Sequence, residues 1–337
     1  MLQPQENRNS LQIQGTVLQV KYHPFMIIAL LLLGGLVLLC AGGDLLVRGA
    51  ESLAIRLGMT PLVIGLTVVA FGTSSPELFI SIGAALQDLD DVAIGNAVGS
   101  NIANLTLVLG LAAWVYPIRV ETQVMKKDAP VLIFCSVALC AMLFVSGILT
   151  RGYGALMVIA LAAYIFLCIR WGKSGDPEPT DCENTASKSL LLSTVLVMAG
   201  LVMLVYGAEF FVDGAVQLAR NFGISEAVIS LTLIAFGTSL PEIASTLIAS
   251  VKGRGDLAIG NAVGSSIFNI LAILGLTSLI TPLSMGNISW VDLVFMTLTA
   301  MIVLPILYTE EKMTRSEGAF LVFCYFVYLS LIAYRIS

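Results

Sequence analysis

Two glutamates stand in apolar segments where a carboxylate is energetically costly. Glu77 lies in AFGTSSPELF (residues 70–79) and Glu242 lies in AFGTSLPEIA (residues 235–244). A charged side chain at the centre of a membrane costs at least about 2.5–3.5 kcal/mol, and such residues mark ion or proton pathways. Each glutamate follows a glycine, at least two hydroxyl side chains and a proline. The pattern therefore indicates a polar site built for a cation.

The composition is that of an integral membrane protein. The chain has 337 residues, of which 58% are hydrophobic and only 12% charged, and its mean hydropathy is +0.95. Strands that alternate apolar and polar residues are absent, so we expect an all-α polytopic membrane protein. Apolar runs long enough to cross a bilayer as helices predict ten transmembrane spans: 25–47, 60–86, 92–115, 129–147, 153–170, 189–212, 226–251, 257–281, 288–308 and 317–335.

The chain contains an internal repeat with an offset of 165 residues. Glu77 matches Glu242, and AIGNAVGS occurs at both 93–100 and 258–265. Five spans in each half make the second copy enter the membrane from the opposite side, which predicts an inverted-topology repeat. We expect a polar N-terminal tail (1–24), a first five-helix repeat (25–170), a cytoplasmic linker (171–188) and a second five-helix repeat (189–337).

The basic residues predict the orientation. Of the 17 lysines and arginines, five fall on the side of the termini and 12 on the other side, which places both termini outside. No basic run suggests a nucleic-acid partner. The six cysteines form no CxxC pair, so neither a disulfide framework nor a zinc site is expected.

The residues around each glutamate predict a helix broken inside the membrane. In the first half, Gly72 is expected to end one half-helix, Ser74 and Glu77 to form a capping box, and Pro76 to lie in the first turn of the next half-helix. The break frees backbone carbonyls. Carboxylates, carbonyls and hydroxyls together make oxygen surroundings that suit Ca²⁺ and Na⁺; the hydroxyls belong to Thr73, Ser74, Thr238 and Ser239. A purely structural capping box is the alternative.

A second motif pair, GNAVGSNIAN (95–104) and GNAVGSSIFN (260–269), predicts unwound or closely packed helices. Its neutral oxygens lie one helical turn apart and can complete the coordination: Ser100 with Asn104, and Ser265 with Asn269. Asn96 and Asn261 can equally be interhelical hydrogen-bond partners. The Gly95–Gly99 spacing indicates packing. Four aspartates near span ends are expected to be solvated: Asp44, Asp128, Asp213 and Asp292.

These two motif pairs resemble the paired alpha-repeats of the cation/Ca²⁺ antiporter superfamily, particularly its bacterial and archaeal sodium/calcium exchangers. The resemblance implies ten helices, both termini outside, a prokaryotic inner (plasma) membrane and a central four-helix ion site. Glu77 and Glu242 would be shared Ca²⁺ and Na⁺ ligands. Thr73 and Thr238 would contribute main-chain carbonyls, and Ala70 and Ala235 further carbonyls. The remaining ligands would be Ser74, Ser239, Ser100, Asn104, Ser265 and Asn269.

The implied function is exchange of Na⁺ for Ca²⁺ across the membrane by alternating access, without a cofactor and without enzyme activity. Asn269 stands where some exchangers, including the potassium-dependent branch, have aspartate, which argues against K⁺ co-transport. A proton/Ca²⁺ (or other divalent cation) antiporter is the alternative. An intramembrane protease fits less well, because the only histidine, His23, precedes the first span. A membrane scaffold without transport gives no reason for two buried glutamates, and a channel would be distinguished by currents beyond transporter rates.

Overall fold

The computed structural model describes residues 24–172, 189–222, 235–286, 288–308 and 312–336, and these residues are almost entirely helical, as predicted. The first half contains α1 (Pro24–Leu57), α2 (Pro61–Thr73), α3 (Ser75–Ala85), α4 (Asp90–Val115), α5 (Val124–Ser146) and α6 (Arg151–Gly172). The second contains α7 (Leu190–Asn221), α8 (Ala235–Gly237), α9 (Leu240–Val251), α10 (Gly255–Ile280), α11 (Trp290–Tyr308) and α12 (Arg315–Ile336).

Eight of the described helices are long and apolar enough to cross a membrane: α1, α4, α5, α6, α7, α10, α11 and α12. A further span is formed if α2 and α3 are counted together, because they are separated by a break and bent by 44°. Helix α9 is apolar but shorter. The predicted tail (1–24), the linker (171–188) and the start of the span at 226–251 lie largely outside the described residues.

Helices α1 and α7 continue well past the predicted span ends at 47 and 212. The charged residues of α1 near this position form ion pairs. Asp44 pairs with Arg48 on the next turn, where Nε and Oδ2 are 2.8 Å apart, and with Lys252. Glu51 pairs with Arg254.

Helices α4 and α10 form the centre of the molecule. Protein buries 78% and 83% of their apolar stretches, against 22–33% for the other described spans. Gly260 and Gly264 let α10 contact α2 directly, since a Cβ at either position would lie 2.8 Å from a backbone oxygen of α2. Close packing is therefore confirmed for this motif copy. For Gly95 and Gly99 close packing stays a prediction. Residues 227–235, which match in the repeat the α2 residues contacted by Gly260 and Gly264, lie largely outside the described residues.

Helices α1 and α7 pack along a seam of glycines spaced seven residues apart. The glycines are Gly35, Gly42 and Gly49 in α1 and Gly200, Gly207 and Gly214 in α7. A Cβ at Gly200 would lie 2.6 Å from the Leu46 nitrogen, so the two backbones touch. The hydroxyls of Ser52 and Ser193, 2.7 Å apart, add a buried hydrogen bond. The outer face of α1 exposes leucines, as a lipid-facing surface requires.

Four two-residue strands link the halves outside the helical core. Strand β1 (Ile118–Arg119) pairs with β4 (Lys312–Met313), and β2 (Ile148–Leu149) pairs with β3 (Leu283–Ser284), both antiparallel. Each pair joins a loop of one half to a loop of the other. The pairings therefore fix the halves against each other around α4 and α10.

Candidate functional site

The chain breaks between α2 and α3 at Ser74, which leaves the helical conformation (φ −83°, ψ 5°). The predicted broken helix is confirmed, but its position is corrected, because α2 continues through Gly72 to Thr73. Gly72 serves packing instead: a Cβ there would lie 2.5 Å from the Leu201 side chain of α7. Pro76 lies in the first turn of α3, as predicted.

The second half breaks in the same way between α8 and α9. Ser239 has nearly the same backbone conformation as Ser74 (φ −87°, ψ 0°), and Pro241 lies in the first turn of α9. Each break is therefore followed, within one turn, by a glutamate: Glu77 in α3 and Glu242 in α9.

The predicted capping box is wrong. Ser74 makes no side-chain hydrogen bond to the start of α3; its hydroxyl donates to Glu242 Oε1 at 3.2 Å. Local sequence favours the capping partner three residues away, but the fold brings a carboxylate of the other half within reach. A charge-assisted hydrogen bond to that carboxylate is the stronger interaction. The break in one half thus contacts the glutamate of the other.

Both glutamates are buried, with 1% of their surface exposed. Among the described residues, neither Glu77 Oε2 nor Glu242 Oε2 has a hydrogen-bond partner, and no basic side chain pairs with either carboxylate. Burying a polar oxygen without a partner costs free energy. A bound cation would remove that cost.

Thr73, the last residue of α2, joins three parts of the site through its buried hydroxyl. Its Oγ1 lies 3.2 Å from the Val69 carbonyl oxygen, 3.2 Å from Asn261 Oδ1 and 3.4 Å from Ser265 Oγ. Because Asn261 and Ser265 belong to α10, this hydroxyl connects the first broken helix to the centre of the second half.

Asn104 and Asn269 each begin a π-helical turn, Asn104–Val108 in α4 and Asn269–Leu274 in α10. Of the two predicted alternatives, unwound or closely packed helices, unwinding is not observed here, since both helices continue and only widen. Such widened turns are frequent at functional sites. Both side chains are buried, and neither Oδ1 atom has a partner among the described residues. Ser100 and Ser265 lie one turn earlier and are also buried.

The other predicted ligands lie at the breaks. Ser239 is buried and Thr238 half-buried. The Ala70 carbonyl oxygen accepts the Ser74 N–H at 3.0 Å and lies 3.4 Å from the Thr73 hydroxyl. Ala235 is the first residue of α8.

Three hydroxyl residues of the site were missed from sequence: Ser81, Ser245 and Thr246. Asn96 donates to Ser81, while Asn261 donates to Ser245 and Thr246. The available signal was a hydroxyl one turn after each glutamate, on the same helical face. It was weak, because single serines are common in membrane helices.

Asp128 corrects a further prediction, because it is completely buried rather than solvated. It accepts hydrogen bonds from Tyr164 at 3.1 Å and from Gln123 at 3.4 Å. Asp213 is exposed, as expected.

The ligand atoms of the site suit a hard cation. Its donors are carboxylate, amide, hydroxyl and carbonyl oxygens, which suit Ca²⁺ and Na⁺. The described residues contain no group of three or more histidine, cysteine or acidic side chains able to hold a metal. The acidic side chains gathered here are Glu77 and Glu242, and the other donors around them are neutral oxygens.

A family model described as "Sodium/calcium exchanger protein" matches residues 27–170 and 192–334, most of the chain. The chain belongs to this exchanger family. Sodium/calcium exchanger MaX1 of Methanosarcina acetivorans is 33% identical in an alignment covering 90% of this chain and 98% of the relative. The chain is also similar to a solved structure of the sodium-calcium exchanger NCX_Mj soaked with 10 mM Na⁺ and zero Ca²⁺. The TM-score is 0.79 and the identity 32%, over 90% of this chain and 98% of the solved chain.

A Ca²⁺/H⁺ antiporter, ChaA of Bacillus subtilis, is 25% identical in an alignment covering 83% of this chain and 85% of the relative. The family is one of transporters. Because the chain belongs to it and has helices long and apolar enough to cross a membrane, it is an integral membrane protein.

Proposed function

We propose that this protein is a sodium/calcium antiporter that exchanges Na⁺ for Ca²⁺ by alternating access, without a cofactor. One observation carries the proposal: two buried glutamates, one from each half, each have a carboxylate oxygen without a protein partner among the described residues. The names of the similar exchangers support the choice of ions.

Charge explains why transport would be an exchange. Two carboxylates buried near each other repel strongly where the dielectric is low. One Ca²⁺ or several Na⁺ compensate them, so both ions compete for the same oxygens. We infer that the empty site resists reorientation, since its charges would have to leave water uncompensated. Only the ion-loaded forms would then reorient between the inward-open and outward-open states.

The proposed ligands are the two glutamates and the oxygens around the breaks and π-helical turns. Glu77 and Glu242 bind both ions, with hydroxyls of Ser74 and Ser239, main-chain carbonyls of Thr73, Thr238, Ala70 and Ala235, and side chains of Ser100, Asn104, Ser265 and Asn269. The unpartnered amide oxygens of Asn104 and Asn269 support their place in this set. Asn269, a neutral side chain, supports independence from K⁺.

The proposed topology is ten transmembrane helices in two inverted five-helix repeats, 25–170 and 189–337, joined by a cytoplasmic linker at 171–188. A polar tail at 1–24 precedes the first repeat. Both termini lie on the outer side of the plasma membrane of a prokaryote. The sequence repeat and the 12 to five distribution of basic residues support this arrangement. So do the matched breaks at Ser74 and Ser239.

The proposed moving part is the α1–α7 pair. The glycine seam brings these two backbones into contact, which favours their movement as one unit. Their large exposed apolar surface meets lipid rather than other helices. Sliding of the pair over the α4–α10 centre would open the ion site to one side at a time.

A proton/Ca²⁺ antiporter is the second candidate, favoured by the similarity to ChaA. Protons can neutralise the same two carboxylates, so the site alone does not choose between the coupling ions. The two candidates differ in whether Ca²⁺ uptake needs a sodium gradient.

Purified protein in vesicles, with Na⁺, K⁺ or H⁺ gradients imposed separately, tests the proposal through ⁴⁵Ca uptake. We expect uptake with the sodium gradient alone, and an at least 100-fold loss in Glu77→Gln. Glu209→Gln, at an exposed glutamate of α7, is the control and should keep wild-type uptake. Uptake driven only by a proton gradient would select the second candidate. Normal uptake by Glu77→Gln would refute the role of Glu77.

A further inference from the structure

Asn261 connects three helices through one buried side chain. It lies in α10 with 1% of its surface exposed. Its Nδ2 donates to Ser245 Oγ at 3.0 Å and to Thr246 Oγ1 at 2.9 Å, both in α9. Its Oδ1 accepts the Thr73 hydroxyl from the end of α2 at 3.2 Å. Because protein groups already engage both amide atoms, Asn261 is suited to hold other residues rather than an ion.

The contacts of Asn261 close a ring that passes through the site. Ser245 Oγ lies 2.7 Å from the Pro241 carbonyl oxygen and 3.1 Å from the Glu242 carbonyl oxygen. The Ser245 hydroxyl therefore bonds to the helical turn that carries Glu242. Ser74, next to Thr73, donates to the Glu242 carboxylate. From Asn261 the ring runs through Thr73 and Ser74 to Glu242, and returns through Ser245. The ring therefore fixes Thr73 and Ser74, proposed ligands of the first half, relative to Glu242 of the second half.

Asn96 has the matching position in the first half and holds the Glu77 turn more directly. Its Nδ2 donates to the Glu77 carbonyl oxygen and to Ser81 Oγ, both at 3.0 Å. Ser81 matches Thr246, while Ser245 is matched by Ile80, which has no hydroxyl. The first half therefore lacks the relaying serine, and its asparagine reaches the backbone of the glutamate itself.

We propose that Asn261 is a positioning residue that sets the Ca²⁺ affinity of the site through Thr73 and the Glu242 turn, and that Asn96 acts in the same way on Glu77. This inference rests on the proposed function. Groups that orient ligands without touching the metal typically contribute 10–100-fold to its affinity. Without Asn261 the ligand oxygens remain, but the protein must order them as the ion binds.

The test is the Ca²⁺ dissociation constant of the purified full-length protein, measured by calorimetry without Na⁺. For Asn261→Ala we expect the constant to rise about 10–100-fold. Thr73→Val replaces the hydroxyl by a methyl group of similar size and should raise the Ca²⁺ dissociation constant less. The double variant should show a rise smaller than the product of the single effects, because both substitutions break the same ring.

Asn101→Ala is the matched control, since Asn101 is also a buried asparagine but donates to Met296 Sδ at 3.6 Å, on α11. It should leave the Ca²⁺ constant within twofold of wild type. An unchanged constant in Asn261→Ala, or an equal rise in both alanine variants, would overturn the inference and leave the proposed function intact. A wild-type protein that binds no Ca²⁺ would overturn the proposed function and the inference with it.

If Asn261→Ala does not fold, Ser245→Ala breaks the next link of the ring. It should raise the constant in the same direction by a smaller factor. An unchanged constant in Ser245→Ala would also overturn the inference.

Discussion

The two halves of the molecule carry nearly the same motif around their glutamates but hold the two turns differently. The Glu77 turn is held by an asparagine that bonds directly to its backbone carbonyl. The Glu242 turn is held through Ser245, and its carboxylate also accepts a hydrogen bond from Ser74 of the other half. The repeat thus keeps the positions of the acidic groups while the support around them varies.

The difference grows toward the ends of the helices. In the second half, Lys252 and Arg254 pair with Asp44 and Glu51 of α1. The matching first-half positions are Gln87 and Leu89, which carry no charge.

A repeated aspartate–tyrosine contact shows the same divergence. Asp128 with Tyr164 and Asp292 with Tyr328 have the same spacing of 36 residues. The first pair is completely buried. Asp292 instead also binds Arg335 and borders a cavity of about 340 Å³. The repeat is thus kept in the acidic groups of the site and lost in these outer contacts.

The largest expected effect on Ca²⁺ binding comes from removing either central charge. In wild type, Ca²⁺ at 100 times its dissociation constant should stabilise the protein by about 2.7 kcal/mol. Glu77→Gln and Glu242→Gln should each lose this stabilisation, because each half supplies one of the two charges. The measurement is the unfolding temperature with and without Ca²⁺. A variant that keeps the full Ca²⁺ shift would show that the halves do not contribute equally.

The aspartate–tyrosine contacts should differ in their effect on stability. Asp128→Ala leaves Tyr164 and Gln123 without their buried acceptor, and we expect a loss of about 2–4 kcal/mol. Asp292→Ala should cost about 1 kcal/mol, since Arg335 is 39% exposed and can reach water. Unfolding temperatures of both variants test the ranking, with Asp213→Ala as the exposed control. Equal losses would contradict the assigned difference in burial.

The smallest effect is expected at the ion pairs of α1. Replacing Lys252 and Arg254 by glutamine should lower stability by roughly 0.5–1 kcal/mol at low salt and by less at high salt, because partly exposed pairs are screened. Gln87→Ala, the matched change in the first half, should show no dependence on salt. Unfolding temperatures at two salt concentrations give the answer. A loss that is independent of salt would argue against an electrostatic role.

Sequence reasoning predicted the helical class, the broken helix before Glu77 and the prolines that follow both breaks. These features depend on local residue types, so short segments contain the information. It ended α2 one residue early, at Gly72 instead of Thr73. It also assigned Ser74 to a local cap, because the actual partner of Ser74, Glu242, is 168 residues away. The burial of Asp128 was missed for the same reason, because Tyr164 is supplied by another helix. The lengths of α1 and α7 were not predicted, because these helices continue past the predicted span ends.

The central claim is that Glu77 and Glu242 jointly hold the transported ion. A structure determined with Ca²⁺ tests it most directly. The account predicts density for one ion between the two carboxylates, with oxygens of both at about 2.3–2.6 Å. Calcium bound elsewhere, or either carboxylate turned away toward lipid, would contradict it.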